Sequence, residues 1–138
     1  MKVNDLLLAA LKLLDQPIED AEGTWPHAAA VLTRQAIEET MSRWWKHVEP
    51  DMNAANWNEK WLALPSYLGR SPVVGEAHYA WSVLSDACHH RAYEIGLTEA
   101  ELRSLLIKAN DFARLVSDRL ANRQIRIERV AAAALPVA

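Results

Sequence analysis

Residues 24–48 read TWPHAAAVLTRQAIEETMSRWWKHV, and the spacing of their apolar side chains decides the class of fold. Ala29, Val31, Leu32, Ala36, Ile37, Met41, Trp44, Trp45 and Val48 recur at the three- and four-residue intervals of one helical face. Thr24 is placed to cap this helix, and Pro26 falls in its first turn, where a missing N–H costs nothing. Pro50 stops it after about Val48. The apolar stripe is too wide for a helix with a single neighbour, so contact with two others is expected. Glu39 and Arg43, in the favourable order four apart, add about 0.2–0.5 kcal/mol on the solvated face.

The segments on either side are helical too. Leu7, Leu8, Leu11 and Leu14 make an amphipathic helix of Asn4 to Leu14, ended before Pro17. A short helix from about Ala54 to Leu64 carries Trp57, Trp61, Leu62 and Leu64 and is closed by Pro65. Gly69-Arg70-Ser71-Pro72 reads as the longest loop. From Val73 to about Tyr93 the pattern resumes, with Ala77, Trp81, Leu84, Cys88 and Ala92 on one face and Gly96 as the C-cap glycine. Thr98-Glu99-Ala100-Glu101 matches a capping box. Leu102, Leu105, Leu106, Ala109, Phe112, Leu115, Val116 and Leu120 keep the helical period after it, and the helix continues through Arg126. No repeat, alternating strand pattern or hairpin dipeptide occurs. The expected architecture is all-α, an up-and-down four-helix bundle with an additional short N-terminal helix. It forms a single domain over residues 1–126, followed by an Ala-rich C-terminal tail at 127–138 that frays or docks on a partner.

Composition supports one compact domain: 138 residues, 51% apolar and 24% charged, enough to bury roughly two-thirds of the unfolded surface. The one cysteine, Cys88, excludes an internal disulfide and suits a reducing compartment. No apolar run approaches the roughly 20 residues of a membrane span, and no secretory leader is recognisable, so a cytoplasmic protein away from the membrane is expected. The net charge of −3 speaks against a DNA-coating protein. That average hides a split of −6 over residues 1–100 and +3 over residues 101–138. Arg119, Arg123 and Arg126 recur at helical spacing there, a basic stripe that suits a nucleic-acid backbone or an acidic partner.

The densest ionisable cluster is Asp86-Ala-Cys-His-His-Arg-Ala-Tyr-Glu94. Adjacent His89 and His90 point about 100° apart on a helix and cannot share one metal, so no metal site is expected. His78, Ser82, Ser85 and His89 share a face beside the apolar stripe, and Arg34 with Glu38 could complete that polar seam from across the bundle. Arg34 or Arg91 beside His89 or His90 would join guanidinium to imidazole, the pairing that phosphodiester chemistry uses. Asp86, Glu38 and Tyr93 are the neighbouring polar groups available to a substrate. Trp44, Trp45, Trp57 and Trp61 read as core first; an exposed member of the Trp44-Trp45 pair would mark an oligomer interface. A small-molecule pocket lined by tryptophans is the remaining alternative. Phosphate loop, dinucleotide fingerprint, nucleophile elbow and metalloprotease helix are missing, so no cofactor is expected.

The segment Ala29-x-Val-Leu-Thr-Arg34-Gln-Ala-Ile-Glu38, followed by His89-His-Arg-Ala-Tyr-Glu94 across a Pro- and Trp-punctuated link, resembles the HEPN domains (higher eukaryotes and prokaryotes nucleotide-binding). The resemblance covers about residues 24–120. It implies a small helical bundle, a homodimer, and a metal-independent endoribonuclease or a nucleotide- or RNA-binding component of a toxin–antitoxin or phage-conflict system. The family's signature is an arginine and, after four to six intervening residues, a histidine. At that spacing this chain has Val83 to Ser85 before His90 and Ser82 to Leu84 before His89, none of them arginine. The resemblance therefore implies either a rearranged site, with His89 or His90 as acid–base and Arg34 or Arg91 on the phosphate charge, or a non-catalytic relative. Apart from the resemblance, the alternative is a non-catalytic helical interaction module that binds a protein partner through its Trp-rich surface or C-terminal helix.

Overall fold

The computed structural model describes residues 2–15, 24–89 and 96–134. They form α1 (Val3–Asp15), α2 (Thr24–Val48), a 3-10 helix (Pro50–Ala54), α3 (Trp57–Leu68), α4 (Pro72–His89) and α5 (Glu99–Ala134). No strand occurs among the described residues, as the uniform helical period requires.

The breadth of the apolar stripe on α2 is explained by its position, since its backbone closely approaches α1, α4 and α5. Ala29, Ala30 and Ala36 are buried there, small enough to let neighbouring helices come close. Thr33 and Thr40 are buried among them, and each hydroxyl donates to the carbonyl four residues back, at 2.8 and 2.7 Å, so neither is left unpaired. Trp44 and Trp45 are both buried, at 4% and 0% exposure, and neither marks an oligomer interface. A helix covered by three neighbours hides two adjacent side chains that a helix on a surface would split. Trp45 also donates from Nε1 to Met41 Sδ at 3.1 Å and meets the Tyr67 ring edge-on at 5.0 Å.

The third segment differs from its sequence expectation at both ends. Pro50–Ala54 is a separate 3-10 turn, and α3 starts only after Asn56, whose side chain caps it by accepting the Glu59 N–H at 2.8 Å. Pro65 does not close the helix. Its missing N–H removes one backbone bond, and another turn follows until Gly69, at φ +94°, ends α3 by donating to the Pro65 carbonyl. Gly69 suits this conformation because it has no Cβ. α3 joins the other helices through large side chains: Trp61 lies 5.8 Å from Phe112 of α5 and 6.0 Å from Trp81 of α4.

The capping box forms as expected. Thr98 Oγ1 accepts the Glu101 N–H, and the Glu101 carboxylate accepts the Thr98 N–H, both at 3.1 Å. Hydrogen bonds to its carboxylate, first from the Thr98 N–H and then from the Thr98 side chain, hold Glu101 below the ordinary glutamate range. One turn on, Arg103 ties α5 to the end of α1, donating to the Asp15 carboxylate at 2.8 Å and to the Leu14 carbonyl at 3.1 Å. Leu102, Leu105, Leu106, Ala109, Phe112, Ala113, Val116 and Leu120 are buried against α1, α2 and α4. The helix does not stop at Arg126 or turn into a frayed tail at 127: it runs unbroken to Ala134. Every residue from Ala121 to Ala134 is exposed. At 1.5 Å per residue this free end projects about 20 Å past the last buried turn.

Candidate functional site

Arg34 and Glu38 lie one turn apart on α2, on the flank that meets α4. Their side chains are 27% and 24% exposed, and Arg34 Nε stands 3.7 Å from Glu38 Oε2. The partner across the interface is an indole: Trp81 Nε1 of α4 donates to the same oxygen at 3.0 Å. Glu38 thus joins α2 to α4 by accepting from Trp81 while it neutralises Arg34. Arg34 Nε is buried and has no hydrogen-bond partner among the described residues, which leaves the ion pair as its compensation.

Cys88 lies seven residues after Trp81, two turns further along the same face of α4. It is partly buried, and burial pushes its thiol above the ordinary range. The Arg34 guanidinium opposes that rise and the Glu38 carboxylate adds to it, so both charges act at this end of α4. A half-buried polar strip therefore runs between α2 and α4, made of Arg34, Glu38, Trp81 and Cys88. Its thiol is held neutral, so it is a poor nucleophile or metal ligand at neutral pH.

His89 follows as the last residue of α4 and is exposed; Asp86 is exposed one turn before it. His90, Arg91 and Tyr93 lie outside the described residues. Two further members of the anticipated polar seam, His78 and Ser82, are engaged within the fold. His78 stacks on Trp61 at 4.8 Å with the rings 10° from parallel, and Ser82 donates to the His78 carbonyl at 3.0 Å. Among the described residues no group of three His, Cys, Asp or Glu side chains is placed to hold a metal, and no helix is long and apolar enough to cross a membrane.

Two grooves lie away from this strip. One, about 630 Å³, runs between α3 and the start of α4, with Leu62, Pro65, Arg70, Pro72 and His78 on its walls. The other, about 1200 Å³, is polar and lies where α1, α2 and α5 meet, with Lys2, Arg43, Lys46 and Arg114 beside Asp5, Glu39 and Asp118. Its charges largely cancel, and Arg43 is already held by Ser117 Oγ at 2.9 Å.

The three arginines of the C-terminal stripe divide. Arg119 belongs to the bundle, donating to the Leu68 carbonyl at the end of α3 at 3.3 Å. Arg123 and Arg126 stand on the free end of α5, joined by Arg129, which the sequence reading passed over. The Trp81–Glu38 bond was also missed. The signal available for it was the tendency of a half-buried indole N–H to take an acceptor. No family model, curated protein or solved structure matches this chain.

Proposed function

We propose that the chain is a HEPN-like up-and-down helical bundle that works as a binding module, holding a protein partner on its C-terminal helix. The observation that carries this reading is the free end of α5: residues 121–134 remain helical and every one is exposed. An isolated helix of this length is marginal in water, and its stability ordinarily comes from packing. A partner laid along it would supply that packing. The arrangement of Arg34, Glu38 and Trp81 supports the same reading, because Arg34 is paired with a carboxylate that also clamps two helices.

The test is affinity capture with the intact chain beside its Ile127→Glu/Val130→Glu variant. A partner retained by the wild type and lost by the variant supports the module. A partner held equally by both removes it.

A second reading, RNA cleavage with His89 or His90 as acid–base, is favoured by one observation, the presence of Arg34 beside the last turns of α4. It predicts metal-independent cleavage of RNA that disappears in His89→Ala/His90→Ala while the helical signal stays. Activity undiminished in that variant would discard it.

A further inference from the structure

We infer that the free end of α5 docks an acidic amphipathic helix of a partner protein, laid along the continuation of the bundle's own core-facing stripe. This rests on the binding-module reading and names the chemistry of what is bound. Inside the bundle Leu102, Leu106, Ala109, Ala113, Val116 and Leu120 are buried at alternating spacings of four and three. The same alternation runs on through Arg123, Ile127, Val130 and Ala134. Spacing of this kind keeps side chains in line along one face, so the face that is covered up to Leu120 is the face left open beyond it. Ile127 and Val130 are 49% and 64% exposed on that stripe.

A helix end made only for solvent is polar all round; this one carries an apolar seam and finishes in four alanines, Ala131 to Ala134. Alanines leave room for a second backbone to come close. Arg119 and Arg126, seven residues apart, flank the seam on one edge, and Arg123 sits within it. The one acid of the free end, Glu128, accepts from Gln124 at 3.1 Å. The segment is therefore basic beside its apolar stripe.

That charge selects the occupant. A second copy laid antiparallel would bring one arginine edge against the other, and a second copy laid parallel would set Arg123 against Arg123 in the seam. Both are like-charge arrangements that an interface avoids. A nucleic-acid backbone would use the arginines but has nothing to place on Ile127, Val130 and the alanines. An amphipathic helix with leucines on its stripe and carboxylates along its edge satisfies both features together.

The probe is a pair of fluorescent peptides of roughly 25 residues, each with leucine at the two seam positions of every heptad, one with glutamate and one with lysine at the flanking positions. Anisotropy with the intact chain should show the glutamate peptide binding at least about tenfold tighter than the lysine peptide, and weakening as salt rises from about 0.1 to about 0.5 M. Ile127→Glu/Val130→Glu should lose at least about tenfold in affinity and Arg123→Gln/Arg126→Gln a smaller factor of about three to ten. Circular dichroism should show both variants folded, since these side chains are exposed. No binding of the glutamate peptide, equal binding of the two peptides, or binding indifferent to Ile127→Glu/Val130→Glu overturns the inference. So does self-association of the intact chain that Ile127→Glu/Val130→Glu abolishes, or binding of an RNA oligonucleotide that depends on the arginines alone. A captured partner that needs Ile127 and Val130, with neither peptide bound, sinks the acidic helix and leaves the binding module standing. One that ignores both residues sinks both.

Discussion

The two parts of α5, residues 99–120 and 121–134, share one helix and one side-chain rhythm and have opposite surroundings. In the first part the stripe residues are buried against three helices; in the second the same stripe meets water. The contrast separates two properties that a hydrophobic period is often asked to report together. The period states which face of a helix is apolar, a local matter. Whether anything covers that face depends on how far the neighbouring helices extend.

The largest expected difference between the two parts comes from breaking the stripe in each. Leu102→Ala, at a stripe position only 1% exposed, should cost about 2–5 kcal/mol in denaturant unfolding, whereas Ile127→Ala should stay within about 0.5 kcal/mol. A comparable loss at Ile127 would mean that the free end packs on the bundle after all. Proline sharpens the point: Arg126→Pro should remove helical signal from the free end and leave the unfolding midpoint of the bundle where it was. A lowered midpoint would show that the two parts unfold as one.

Smaller effects probe the start of the covered part. Thr98→Ala should destabilise by about 1 kcal/mol through loss of the cap. Because the cap lowers the Glu101 pKa on folding, its carboxylate contributes stability that is present above the ordinary value of 4.5 and is lost as pH falls through the lower folded-state pKa. The advantage of wild type over Glu101→Gln should therefore vanish in acid. An advantage independent of pH would assign it to packing instead.

The smallest expected effect is at the polar strip that holds α4 to α2. Glu38→Gln should speed the labelling of Cys88 by a thiol reagent near neutral pH, and Arg34→Gln should slow it, because the two charges push the thiol pKa in opposite directions. Rates that move together would mean that the substitutions open the interface rather than retune the thiol.

What could be read from residues alone follows the same division between local and distant causes. The two ends of α2 were legible because a first-turn proline and a terminal proline act within one turn of themselves, and so was the Thr98–Glu101 box, whose two bonds lie within one turn. Pro65 misled because a proline removes only one backbone bond, and Gly69, not Pro65, supplies the conformation that ends α3. The exposure of Trp44 and Trp45 was beyond reach of the period, since it turns on the number of helices that α2 touches. The helical run to Ala134 was cut short for a related reason: alanines after Val130 carry no alternation of polar and apolar side chains to mark a face. At the candidate site the pairing of Arg34 with Glu38 was readable from their spacing, while Trp81 became their partner only through the setting of α4 against α2. Whether His90, Arg91 and Tyr93 join that strip lies outside the described residues.

The placement of the tryptophans has an optical consequence. All six fall between Trp25 and Trp81, and α5 holds no aromatic residue after Phe112. Indole emission therefore follows the packing of α2, α3 and α4 and is silent about the free end of α5. A melt recorded by tryptophan fluorescence would report a native protein after those last turns had already unwound. By the same token, any indole absorption gained when a partner settles there would belong to the partner.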